Sequence, residues 1–88
     1  MQKTWTAHWN GHSITAENDW FEGERLIIDG MLHDENGKMG FSSDLVGRID
    51  HQDGSTHTVK AQLRQGWLGL KVVCHIFVDE RLVGGDPV

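Results

Sequence analysis

The stretch Trp5-Thr6-Ala7-His8-Trp9-Asn10-Gly11-His12-Ser13-Ile14-Thr15-Ala16-Glu17 decides how the rest of the chain is read. Its two histidines stand at His-x3-His spacing, which suggests a pair of metal ligands. That spacing serves on a helix, where residues i and i+4 share a face. Asn10-Gly11 argues for a different element. Both central residues of a type I′ turn need positive φ, and Asn-Gly tolerates this better than most pairs. A fold at that point sets Trp9 opposite His12, Ala7 opposite Ile14 and Trp5 opposite Ala16. One face then reads Trp5, Ala7, Trp9, His12, Ile14, Ala16, and the other Thr4, Thr6, His8, Ser13, Thr15, Glu17. Almost every apolar side chain falls on one side, which supports that register. His8 and His12 point to opposite faces, so the hairpin parts the two candidate ligands. His12 is expected to pack at the rim beside Trp9.

The same turn chemistry recurs at Asp29-Gly30, Asn36-Gly37 and Asp53-Gly54. Short segments rich in Thr, Val, Ile and Trp run between them, with no 3.6-residue apolar period. This is the signature of an all-β chain. Glu24–Ile28 is expected to turn through Asp29-Gly30 into Met31–Glu35, and that through Asn36-Gly37 into Lys38–Ser42. These registers line up Ile27, Leu32 and Phe41 across three strands. Leu45–His51 and Thr56–Leu63 follow, then the longest strand, Trp67–Asp79, and a Glu80-Arg81 turn into Leu82-Val83. The expected fold is a single antiparallel β-sandwich or flattened barrel of about seven to eight strands. It occupies residues 1–83, and 84–88 form a flexible C-terminal tail.

A weak internal repeat accompanies this pattern. Gly11-His12-Ser13-Ile14-Thr15-Ala16 resembles Thr56-His57-Thr58-Val59-Lys60-Ala61, and Arg25–Leu32 resembles His75–Leu82. Such patterns are weak at this length, because any two β units look alike. A true repeat would imply a pseudo-symmetric sandwich of two similar halves.

Composition bounds the function. A chain of 88 residues holds one domain; at this size only about 60–65% of the unfolded surface is buried, so association with a partner or a second copy helps stability. The single cysteine, Cys74, permits no intrachain disulfide. The N-terminus lacks the apolar run of a signal peptide, and no segment approaches a membrane span. A cytoplasmic location is the expectation. The net charge is −5 and the eight Lys and Arg are scattered singly, so no patch stands ready for nucleic acid or an anionic membrane.

No catalytic motif emerges. Cys74 and His75 are neighbours on one strand and point to opposite faces, so His75 cannot activate the thiol. Ser42-Ser43-Asp44 lacks a nucleophile-elbow context, and Asp34-Glu35-Asn36-Gly37 lacks the later ligands of a calcium loop. Asp29 and Asp79 hold matched places in the repeat, yet nothing in the sequence joins them. Neither a metal nor a cofactor is implied. The sheet face carrying Trp67, Val73, His75 and Phe77 is half apolar on a strand whose other face is wholly so, which points to a central strand or a contact with another molecule. The reading is a non-catalytic binding or assembly module that self-associates, as a homodimer or with a protein partner. The alternative is a small-ligand or carbohydrate-binding domain in which Trp20 and Trp67 stack on the ligand, with His57 or His75 beside them.

Trp9, Gly11-His12-Ser13-Ile14, Ile28-Asp29-Gly30, Leu45-Val46-Gly47 and Val78-Asp79-Glu80 fall in an order that resembles one domain of the Fas apoptosis inhibitory molecule family. The resemblance spans most of residues 5–83 and rests on short motifs. It implies a compact antiparallel β-sandwich with a non-enzymatic, protein-binding role. Two departures stand out: that family has tandem domains, and Glu80 replaces the second Gly of its Val-Asp-Gly pattern.

Overall fold

The computed structural model describes residues 2–19, 21–37, 42–65 and 71–87. The described residues form eight antiparallel strands in two four-stranded sheets, and none of them is helical. The first sheet runs in sequence order through β1 (Gln2–Trp9), β2 (His12–Asp19), β3 (Gly23–Ile28) and β4 (Met31–Asn36). The second does the same through β5 (Ser42–Asp50), β6 (Thr56–Gln65), β7 (Val72–Val78) and β8 (Arg81–Gly85). Alternate residues of both sheets face one shared core that includes Ile14, Ala16, Leu26 and Ile28 from the first and Val59, Ala61, Leu63, Cys74 and Ile76 from the second.

The opening hairpin has the register that Asn10-Gly11 dictates, with Trp9 opposite His12, Ala7 opposite Ile14 and Trp5 opposite Ala16. Asn10 and Gly11 both have positive φ, at 47° and 80°. Asp29 and Gly30 do the same between β3 and β4, and Ile27 lies opposite Leu32.

Five expectations need correction. Asn36-Gly37 does not open a hairpin, because β4 and β5 belong to different sheets and the chain crosses between layers there. Residues 38–41, with Phe41, lie outside the described residues, and Ser42 opens β5 three positions before the expected Leu45. The described part of the Trp67–Asp79 strand is Val72–Val78, so β6 is the longest described strand. The last turn is centred on Asp79-Glu80, both at positive φ, rather than on Glu80-Arg81. The C-terminal stretch is also more built than a tail. β8 continues through Gly85, and the Asp86 carboxylate accepts from Trp5 Nε1 and from the Cys74 amide, each at 2.9 Å.

Among the described residues the two sheets close at their corners without sharing a hydrogen-bond ladder, as in a sandwich. Gly84 of β8 lies so close to β1 that a Cβ there would stand 2.5 Å from the Ala7 Cβ. At the other corner Gly47 of β5 lies against β4, where its Cβ would meet the His33 Cβ at 3.0 Å. The Val46 amide, on the edge of its sheet, donates to Asp34 Oδ2 at 2.9 Å. That contact occupies one edge group that could otherwise pair with a foreign strand.

The halves match beyond their topology. His12 is the first residue of β2 and His57 the second of β6, and Asp29 and Asp79 directly follow β3 and β7 at φ of 51° and 49°. Each second hairpin carries a register shift at the same place, between Leu26 and Ile27 and between Ile76 and Phe77. The halves differ on the inner face at Trp5 and Trp9, where Leu45 and Ile49 stand in the second half, and at one cross-strand pair. Asn18 and Glu24 face the core in the first half, where Leu63 and Cys74 do so in the second.

Glu80 is the odd residue among these turns, since Gly30 fills its place in the first half. A side chain at φ of 70° is strained where glycine is not. Replacement of Glu80 by Gly should therefore raise stability, by about 1 kcal/mol less the entropy glycine adds to the unfolded chain. A thermal melt that falls on this substitution would contradict the turn geometry.

Candidate functional site

The turns after β1, β3, β5 and β7 lie at one end of the sandwich, and the two aspartates stand there at matched places. Asp29 and Asp79 end their strands in a left-handed conformation, which carries each carboxylate back over the adjoining strand. Asp29 Oδ1 accepts from the Ser13 amide at 2.9 Å, and Asp29 Oδ2 lies 2.7 Å from His12 Nδ1. Asp79 repeats the arrangement, 3.0 Å from the Thr58 amide and 2.6 Å from His57 Nδ1. The aspartate amides donate in return to the Ser13 and Thr58 carbonyls, at 2.8 and 2.9 Å. A carboxylate only accepts, so Nδ1 carries a proton in both rings.

The two clamps meet at the end of the core. Trp9 is edge-on to His57, with ring centroids 4.8 Å apart, and stacks on His12 at 6.3 Å. His51, from the loop between β5 and β6, is edge-on to both imidazoles, 5.8 Å from His12 and 5.0 Å from His57. His12 thus sits beside Trp9 at the rim, as the hairpin reading requires. No hydroxyl or thiol hydrogen-bonds either clamped imidazole among the described residues. No group of three or more His, Cys, Asp or Glu among them is placed to hold a metal ion. The clamps order the turns.

The hydrogen bonds set the charge state of the acids. The His12 ring and then the Ser13 amide hold Asp29 below the usual carboxylate range. His57 and the Thr58 amide do the same for Asp79. Amide donors lower Asp86, chiefly Cys74, and Asp19, through Phe21 and Glu22; the Ser55 hydroxyl and amide lower Asp53. A carboxyl whose folded pKa lies below its unfolded value stabilises the fold fully above the unfolded value of about 4 and loses that contribution as pH falls through the folded one. The urea midpoint should therefore drop as pH falls below about 4, and drop less steeply in an Asp29→Ala/Asp79→Ala variant. Parallel acid limbs in the two proteins would sink this account.

The expected interface residues divide. Trp20 and Trp67 lie outside the described residues. Val73, His75 and Phe77 share the outer face of β7, half-buried, while Cys74 and Ile76 point into the core. His57 is not with them: it has the parity of Val59 and Ala61 and lies at the inner rim, against Trp9 and Asp79. Burial pushes the Cys74 thiol up to about 12, so it stays protonated and inert.

The outer face of the second sheet carries one feature that a strand-by-strand reading misses. Val46 lies opposite Lys60, Lys60 opposite Phe77, and Phe77 opposite Leu82. These four make a continuous row across all four strands, with Val46 46% and Leu82 45% exposed at its ends. The matching row on the first sheet is Thr6, Thr15, Ile27 and Leu32, half of it hydroxyl-bearing. Beside that row Arg25 pairs with Glu17 at 3.1 Å. A shallow groove borders the second row, lined by Thr58, Lys60, Gln62, Phe77, Asp79 and Glu80.

No family model matches this chain, and no curated protein or solved structure does so either. Among the described residues no helix is long and apolar enough to cross a membrane.

Proposed function

We propose that this chain is a non-catalytic binding module that self-associates through the outer face of the β5–β8 sheet. The row Val46–Lys60–Phe77–Leu82 carries the reading. It supplies apolar area across the full width of one sheet, to which the methylene stem of Lys60 adds. The surrounding side chains are polar, including the Arg64–Asp44 pair at 2.8 Å, and an apolar centre within a polar rim is the anatomy of a protein interface. The Fas apoptosis inhibitory molecule resemblance points the same way, to protein binding, and a cytoplasmic location accords with the single buried thiol. Sedimentation velocity at micromolar concentrations tests the proposal. The native chain should sediment as a dimer, Leu82→Glu as a monomer, and Leu32→Glu, on the other face, as a dimer. A native chain that stays monomeric over that range contradicts it.

One observation favours a second reading, a small-ligand site. The groove beside Phe77 joins an aromatic wall to Lys60, Gln62, Asp79 and Glu80, a mixture suited to a polyhydroxylated ligand. Calorimetric titration with simple sugars distinguishes the two: heat lost in Phe77→Ala supports the groove, and no heat removes it.

A further inference from the structure

We infer that the chain can pair with a second copy by exchanging its four-stranded halves, so that β1–β4 of one chain packs on β5–β8 of the other. Among the described residues every backbone–backbone hydrogen bond lies within one sheet or the turns that join its strands. What holds the halves together is the shared core, the two corners and a few side-chain bonds, such as Trp5 to Asp86 and Lys3 Nζ to the Val72 carbonyl at 3.0 Å. All of these can form equally between two chains. Only residues 37–41 tie β4 to β5, and Asn36 Nδ2 donates to Ser43 Oγ at 2.9 Å across the ends of that connection.

Exchange therefore breaks no ladder and needs no new surface, the condition under which swapping is a low-cost route to a dimer. The partner is specified by the polar mismatch between the halves. Two first halves packed together would confront two Asn18–Glu24 pairs in one core. Glu24 is 7% exposed, and its Oε1 lacks a hydrogen-bond partner among the described residues. Doubling that group in a dry interior is costly. A first half accordingly takes a second half as its mate, from its own chain or from another.

This pairing is independent of the outer-face association, because it forms only on refolding and reverses only on unfolding. Two full-length chains serve as the test, Asn36→Cys and Ser43→Cys, each also carrying Cys74→Ser. Refolded together from denaturant at high concentration, they should give an interchain disulfide in a dimer with the native near-ultraviolet spectrum, whereas mixing the folded proteins should give none. Co-refolding that leaves only disulfide-free monomers overturns the inference. Should Ser43→Cys fail to fold, Leu82→Glu, which lacks the outer-face contact and is monomeric unless refolded at high concentration, answers alone. After refolding, its dimer fraction should follow the concentration at which it was refolded and persist on dilution. A fraction that re-equilibrates within minutes of dilution, or no dimer at any refolding concentration, overturns the inference too.

Discussion

Leu26→Ala and Ile76→Ala should each destabilise the protein by about 2–5 kcal/mol, and by similar amounts. The two side chains occupy matched positions, one residue before the register shift in each half, and both are fully buried. Either truncation removes most of a side chain from a core that both sheets share, and so loses transfer energy and leaves a cavity. The total stability expected at this length is about 4–13 kcal/mol, so each variant forfeits a large share and the double variant should be unfolded at room temperature. Urea titrations followed by circular dichroism measure this. A severe loss in one variant with a negligible loss in the other would mean that the halves are not equivalent in packing.

A comparable loss, about 3 kcal/mol, is expected for Gly84→Val, from overpacking and not from a cavity. Gly84 is not among the residues with positive φ, so its backbone admits a side chain, and the obstacle is steric. The Ala7 Cβ stands 2.5 Å from where the new Cβ would lie, and the Ala7 Cα 3.3 Å away. Neither is the free end of a flexible side chain, so β1 must move off β8. The milder Gly84→Ala should be partly rescued by Ala7→Gly, since the second change removes the methyl that the first one strikes. A double-mutant cycle should show coupling of about 1 kcal/mol or more. Additive losses would show that this corner is looser than its geometry.

How much of this could be read from the sequence differs by the range of the interaction involved. The register of β1 and β2 was legible in full, because Asn10-Gly11 fixes a two-residue loop and the alternation of Trp5, Ala7, Ile14 and Ala16 leaves only one face for the core. The same local logic placed Ile27 opposite Leu32. It failed at Asn36-Gly37, because a pair that tolerates positive φ says nothing about whether the flanking strands share a sheet. It failed again at Gly84-Gly85-Asp86. Those residues read as a fraying end until Ala7, Trp5 and Cys74, all distant in sequence, supply the contacts that demand them. The clamps stood between these cases. His12 with Asp29 and His57 with Asp79 were visible as repeated residues, but their pairing rests on how β2 meets β3 and β6 meets β7. The outer-face row was hidden because it runs across four strands, one residue from each.

The claim that this row is the contact surface is tested most directly by a dilution series of amide NMR spectra of the native chain. The account predicts concentration-dependent shifts at Val46, Lys60, Val73, Phe77 and Leu82, with Thr6, Thr15 and Arg25 on the opposite face unmoved. Spectra that do not change with concentration, or shifts confined to the β1–β4 face, would contradict it.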